Sequence, residues 1–401
     1  MGKYLNIGII YIILWIMYYS QGVLYTAGGS ISQGILLFQL IVSAYCLIKV
    51  HKERINSNFI KSLDFFLLLM TIYGILHILL GKAEVITELT PHIEVKKFIF
   101  LKNLYISCAP IYSFYYFTKK GLISTSTLKL AFILLLILAI VSYINTYFNV
   151  IERTNKKEGD DITNNGAYFF VALIPMLLIW KNRPILVFVL LTVILYFVLM
   201  GMKRGAMIIG FGMFVYLLYG IIKLAPPKYR LLVRMLCIIM VIASLYLAMD
   251  IYNNSDYFQR RMEETMEGNS SHRDVFYANL LDFFINKSEG LALVIGNGCD
   301  YTISIIGNYA HNDWLEIAIN QGLIGIFAYI YYFTSLYKDI KILGKNNETC
   351  KKMLAMVFFS MFLTSLFSMS YNGIKLATSL TIGYCLAQLP DKKKIKVISR
   401  K

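Results

Sequence analysis

"PILVFVLLTVILYFVLMGMKRGAMIIGFGMFVYLLYGIIK", residues 184 to 223, decides the fold. Two apolar runs, about 184–202 and 206–223, are separated by only a few residues, and each is long enough to cross a hydrocarbon layer as a helix. On the other flank "KNRP" separates the first run from a third, 166–180, which leaves room only for a tight helical hairpin. Extending the same reading along the chain gives twelve spans: about 4–24, 30–49, 62–81, 98–118, 129–149, 166–180, 184–202, 206–223, 231–249, 322–337, 353–371 and 376–389. The expected fold is therefore an all-α polytopic membrane protein, a single integral domain over 1–401.

Composition agrees with this. Of the 401 residues 58% are hydrophobic and 15% charged, against about 25% charged in an ordinary soluble domain. Twenty-six Phe and 30 Tyr supply rings that favour membrane interfaces. The net charge of +16 raises the question of nucleic acid, but the cations are dispersed among apolar segments and form no basic, aromatic-rich module. Six cysteines at 46, 108, 237, 299, 350 and 385 show neither metal-type pairing nor a disulfide framework. Lys3 and the apolar run after it read as an uncleaved first span, because further spans follow at once.

An even number of spans puts both termini on one side, and charge bias names that side, since positive loops stay cytoplasmic. The terminal side holds 25 of the 39 Lys and Arg but 5 of the 23 Asp and Glu. Both termini are expected in the cytoplasm, the tail at 390–401 being a basic stop-transfer segment. The opposite side then carries polar segments at about 82–97, 150–165 and 250–310. The last, the one large extracytoplasmic loop, reads as short amphipathic helices broken at "GNSS", with Phe276, Leu280, Leu281 and Phe284 available for one face.

The outward side also gathers the residues with chemistry. In "NYAHNDWLEIAINQGLIGIFAYI", residues 308–330, Asp313 and Glu316 fit a capping box at a helix start, and Trp314 fits an interfacial anchor. His311 and Asn312 are left over, and an imidazole at the outer face can accept a proton near neutral pH. In "MGMKRGAM", Lys203 and Arg204 sit at an outer turn against the positive-inside trend. Either they snorkel to the interface or they grip an anion, for which the arginine fork suits a phosphate. In "SSHRDVFY", Arg273 is a third candidate, with Arg260 and Arg261 upstream and His272 as a competing base. His77 and Lys102 lie near outer span ends as further cavity candidates, and "GNGCDY", 296–301, reads as a glycine-bounded turn. No Walker-type loop, His-Glu-x-x-His, Gly-x-Ser-x-Gly or outward Asp-x-Asp occurs, and spans with few buried charges disfavour an ion-coupled pump. No metal ligand set and no cofactor are expected.

"AHNDWLEIAINQGLIG" resembles the signature of the O-antigen ligase and Wzy-type polysaccharide polymerase superfamily, in which a His-Asn pair is followed by two glycines in an apolar helix, here His311, Asn312, Gly322 and Gly325. "KRGA" is similar to the family's Arg-Gly element, although Lys203 stands where Ser or Thr is common. "SSHRDVFY" and "IGNGCDY" resemble its loop elements, and the order of motifs covers about 165–335. The resemblance implies a GT-C-like glycosyltransferase of the bacterial cytoplasmic (inner) membrane acting on polyprenyl-diphosphate-linked glycan as donor and acceptor, on the extracytoplasmic face. It further implies a flippase and a chain-length regulator of the same pathway as partners. His311, Arg204 and Arg273 become the expected catalytic residues, with Asn312, Lys203, Trp314, Lys102, Arg260 and Arg261 binding substrate. A repeat-unit polymerase of O-antigen or capsule is the first reading. An O-antigen ligase shares donor, face and chemistry, and a lipid-linked oligosaccharide flippase shares the span count.

Overall fold

Long apolar segments fold as helices in lipid because only a helix bonds every backbone N–H and C=O within its own segment. In the computed structural model, which describes residues 6–53, 57–80, 98–154, 163–225, 227–256, 258–260, 263, 273–371 and 373–390, each of the twelve apolar segments is helical. The helices are α1 (Ile7–Tyr19), α2 (Ser30–Lys52), α3 (Asn58–Leu80), α4 (Ile99–Lys119), α5 (Thr125–Thr154), α6 (Ala167–Leu173, continuing as a 3₁₀ turn over Ile174–Trp180), α7 (Pro184–Met200), α8 (Arg204–Leu224) and α9 (Arg230–Asn254). Three short ones follow, α10 (Arg273–Asp282), α11 (Leu291–Ile295) and α12 (Tyr301–Ile306), then α13 (Asp313–Leu343), α14 (Glu348–Phe367) and α15 (Leu376–Ala387). No β-strand occurs among the described residues; one isolated bridge joins Gln21 to Tyr25.

Among the described residues seven helices are long and apolar enough to cross a membrane, namely α2, α3, α5, α8, α9, α13 and α14; four apolar ones are shorter. Helix α4 is buried along most of its length, between α2, α3 and α15. A helix so enclosed needs little lipid-facing surface. The chain is thus an all-α protein with several membrane-length helices.

Two expectations are corrected and one is widened. The span placed at 322–337 begins earlier: α13 starts at Asp313 and is interrupted at Gly322, whose φ of 63° and ψ of −158° are non-helical. The aromatic rings do more than supply surface that favours interfaces. Trp15, Tyr11, Tyr112, Tyr115, Tyr329 and Tyr332 are fully buried, and Trp180 is buried as well. On the loop helix α10 and its continuation, Leu280 is buried with Phe276, Phe283 and Phe284 packed against it, whereas Leu281 is exposed, because 276, 280, 283 and 284 follow one helical stripe and 281 falls beside it. The "GNSS" break, all of 82–97, residues 155–162 and the tail beyond 390 lie outside the described residues.

The break in α13 has a local cause. A left-handed residue inside a helix leaves preceding carbonyls without their i+4 donors. Asn297 N and Asn297 Nδ2 donate to Ile319 O at 3.0 and 3.1 Å, and Gly298 N donates to Asn320 O at 2.9 Å. The approach is so close that a Cβ on Gly322 would stand 2.5 Å from Gly296 N and 2.7 Å from Leu293 O. The "IGNG" turn therefore clasps the kink, backbone against backbone.

Candidate functional site

A cavity of about 460 Å³ opens where several helix ends meet, and Lys203, Arg204, Arg273 and His311 all line it. The N-termini of α8, α10 and α13 carry Arg204, Arg273 and His311 to its rim. Ser360 and Thr364 of α14 line it deeper, Ser360 lying seven residues, about 10 Å of helix, before the end at Phe367. Tyr168, Ser370, Lys375 and Thr378 complete the polar lining.

Each cation is placed by its local sequence. The turn between α7 and α8 is made by Met202, held at φ 47°, and tied down by Asn164 N donating to Gly201 O at 2.9 Å. Gly205 follows Arg204 because Tyr168 Oη and the Phe367 ring lie where a Cβ would be. Arg273 opens α10, and its Nη1 donates to Phe367 O at 2.7 Å, at the end of α14. The neighbouring carbonyl, Leu366 O, accepts from Asn312 Nδ2 at 2.8 Å. The last two carbonyls of α14, which a helix leaves unpaired, are thus taken by side chains of two sequence motifs.

The segment His311-Asn312-Asp313 divides its labour. Asn312, not Asp313, is the N-cap: Asn312 Oδ1 accepts from Trp314 N at 2.9 Å and Leu315 N at 3.1 Å. Its amide is engaged at both ends and so joins the start of α13 to the end of α14. Asp313 is buried and accepts from Tyr329 Oη at 2.6 Å, Ser370 N at 3.0 Å and Tyr371 N at 3.2 Å. It pins the 368–375 loop, which forms one wall of the cavity. Glu316 is buried too, accepting from Thr302 Oγ1 at 2.5 Å, Ala310 N at 2.8 Å and Asn320 Nδ2 at 3.0 Å. It fixes the residue before His311. The capping-box reading fails because both carboxylates reach across to other segments.

His311 itself is in the left-handed region, φ 51°, and its carbonyl accepts from Tyr277 Oη at 3.2 Å. Burial lowers its pKa below the ordinary imidazole value, and the charges of Arg273 and Lys203 lower it further. Both effects disfavour the charged imidazolium.

Not every expected residue arrives. Trp314 is half-buried, donates Nε1 to Ser365 Oγ at 3.0 Å and packs on Tyr329, Phe333 and Phe362, and it does not line the cavity. Lys102 and Arg260 are exposed and do not line the cavity. Arg261 and His272 lie outside the described residues. His77 is elsewhere, its Nε2 3.7 Å from Asp300 Oδ2. Lys375 is the residue the sequence reading missed. Burial pushes its ammonium below the usual lysine range. The signal was present: like Lys203 and Arg204, it is a cation in a loop that the charge bias of the sequence assigns to the cation-poor side. Among the described residues no cluster of three or more His, Cys, Asp or Glu is placed to hold a metal ion.

The described fold and cavity define a helical membrane protein with a cationic, histidine-bearing pocket at the ends of its helices. No family model matches the chain, and no curated protein matches it.

Proposed function

We propose that the chain is a membrane glycosyltransferase of twelve spans with both termini cytoplasmic, polymerising polyprenyl-diphosphate-linked repeat units of an O-antigen or capsule on the extracytoplasmic face. One observation carries this reading: a single cavity unites an imidazole with four basic side chains, those of Lys203, Arg204, Arg273 and Lys375. A base beside concentrated positive charge suits a transfer in which a hydroxyl attacks and a diphosphate leaves.

In the proposed step His311 accepts the proton of the acceptor hydroxyl. The hydroxyl oxygen bonds to the anomeric carbon with inversion as the bond to the diphosphate oxygen breaks, and the electron pair stays on that oxygen. Arg204 and Arg273 stabilise the charge that develops there, with Lys203 and Lys375 adding to the positive field. Arg273 retains donors for this role beyond the one bonded to Phe367 O. The Ser and Thr hydroxyls of the deeper wall suit sugar hydroxyls. The resemblance of "AHNDWLEIAINQGLIG" to the polymerase and ligase superfamily supports the same assignment.

The test supplies purified protein with a defined polyprenyl-diphosphate repeat unit, with and without chelator. The reading expects a ladder of lengthening lipid-linked glycans that persists in chelator and disappears in His311→Gln. No lengthening, but transfer to lipid A-core or protein, would replace polymerase by ligase. Movement of the intact donor across vesicles without bond formation would replace both by a flippase.

A further inference from the structure

A second cavity, about 410 Å³, lies far along the sequence from the first and has different chemistry. Its walls are Leu40, Ala44 and Ile48 of α2 and Leu67 of α3, with Ala109 and Tyr112 of α4 as floor. Both wall helices pack on α4 and are membrane-length. Exposed Ile41 and Leu68 flank the opening, so the groove faces laterally, towards the bilayer.

The polar atoms in its lining are already satisfied. Ser43 Oγ bonds Tyr11 Oη at 2.7 Å and Gln39 O at 2.8 Å, Tyr105 Oη bonds Thr71 at 2.7 Å, and Tyr112 Oη donates to Asp64 at 2.6 Å. The surface that remains asks for hydrocarbon. Beyond Ile48 the groove ends at cations: Lys49, its Nζ 5.4 Å from the Tyr45 ring, and exposed Lys52 on α2, with exposed Lys61 in the first turns of α3. The acids at this end are engaged, Glu53 by Lys120 at 2.7 Å and Asp64 by Tyr112 and His51.

We infer that this groove binds one acyl chain of an anionic glycerophospholipid whose phosphate sits among Lys49, Lys52 and Lys61. The leaflet follows from the same residues, since the positive-inside bias assigns this end to the cytoplasm. A polyprenyl diphosphate substrate would enter with its headgroup at the opposite end, so this site is independent of the proposed reaction.

Native mass spectrometry of the full chain, delipidated in detergent and titrated with phosphatidylglycerol or phosphatidylcholine, reads the site directly. One phosphatidylglycerol should remain bound through steps that strip the rest. Ala44→Trp, at an exposed position that fills the groove, should abolish that retention while the circular dichroism melt stays unchanged, and Leu47→Trp serves as the second filling variant. Each lysine near an anionic lipid contributes about fivefold, so Lys49→Gln, Lys52→Gln and Lys61→Gln together should weaken phosphatidylglycerol by roughly a hundredfold and phosphatidylcholine hardly at all. Unchanged retention in both tryptophan variants overturns the site. A shift from dimer to monomer in Ala44→Trp would assign the groove to a second copy of the chain, and retention of polyprenyl phosphate in preference to phosphatidylglycerol would assign it to substrate; either overturns the inference.

Discussion

Removing the Asp313 carboxylate separates the scaffold from the chemistry. Asp313→Ala leaves three donors, Ser370 N, Tyr371 N and Tyr329 Oη, without their acceptor in a buried place. A buried donor left unsatisfied costs about 1–3 kcal/mol. Ser370 borders the cavity, where water can reach it, so the lower end applies, and the loss is about 3 kcal/mol for the three. Two of the three donors, Ser370 N and Tyr371 N, belong to the 368–375 loop, so about 2 kcal/mol, or roughly thirtyfold, falls on the equilibrium between its docked and released forms. Asp313→Asn keeps one acceptor oxygen but turns an NH₂ group towards a backbone N–H, so it should fall between wild type and Asp313→Ala. The assay pairs glycan lengthening with the rate at which a cysteine at position 369 reacts with a water-soluble maleimide. Both should move together: slower lengthening and faster labelling, in the order wild type, Asn, Ala. Wild-type labelling and turnover in Asp313→Ala would show that the carboxylate does not hold the wall, and the account of the motif would fall with it.

His311→Gln should lower turnover by about a hundred- to ten-thousandfold, the usual worth of a positioned base, at unchanged membrane levels measured by blotting. The pH profile has a defined sign. Because burial and two cations lower the His311 pKa, the acidic limb of kcat/KM should lie below the ordinary imidazole value, with activity lost as pH falls through it. Lys203→Gln removes one of those cations, so the limb should move up while some activity remains; a limb that stays still would disconnect the two residues. Gly322→Ala forces a side chain into the backbone of Gly296 and a left-handed φ, strain worth of order 1–3 kcal/mol, and should lower the melting temperature in detergent, whereas Gly34→Ala, at a helical position with open space around it, should cost nothing.

The helices could be read from the sequence because hydrophobicity over some twenty residues is a local property. His311, Arg204 and Arg273 could be singled out because each breaks a local pattern, an imidazole ahead of a span or a guanidinium on the wrong side. Lys375 breaks the same pattern, but stands alone before the last span, without a motif to draw attention to it. The roles of Asn312 and Asp313 were shifted by one residue for a tertiary reason. Either can cap a helix, and what decides is the pair of backbone N–H groups at Ser370 and Tyr371, which no spacing rule near residue 313 encodes. The clasp at Gly296 and Gly322 is hidden likewise, since it exists only once two distant stretches touch. Lys102 and Arg260 were chosen for charge near a span end, and charge alone leaves a long side chain in solvent.

The pocket's lining is drawn from residues 165 through 378, and its final wall is the segment just before the last helix. During synthesis the imidazole and three of the four cations therefore enter the membrane before any enclosure exists around them. A chain that has not yet threaded Leu376–Ala387 leaves Asp313 with no loop to hold and Arg273 on an unsupported helix end. The pocket is thus a late product of assembly, enclosed only when the stretch around Ser370 and Tyr371 has docked on Asp313.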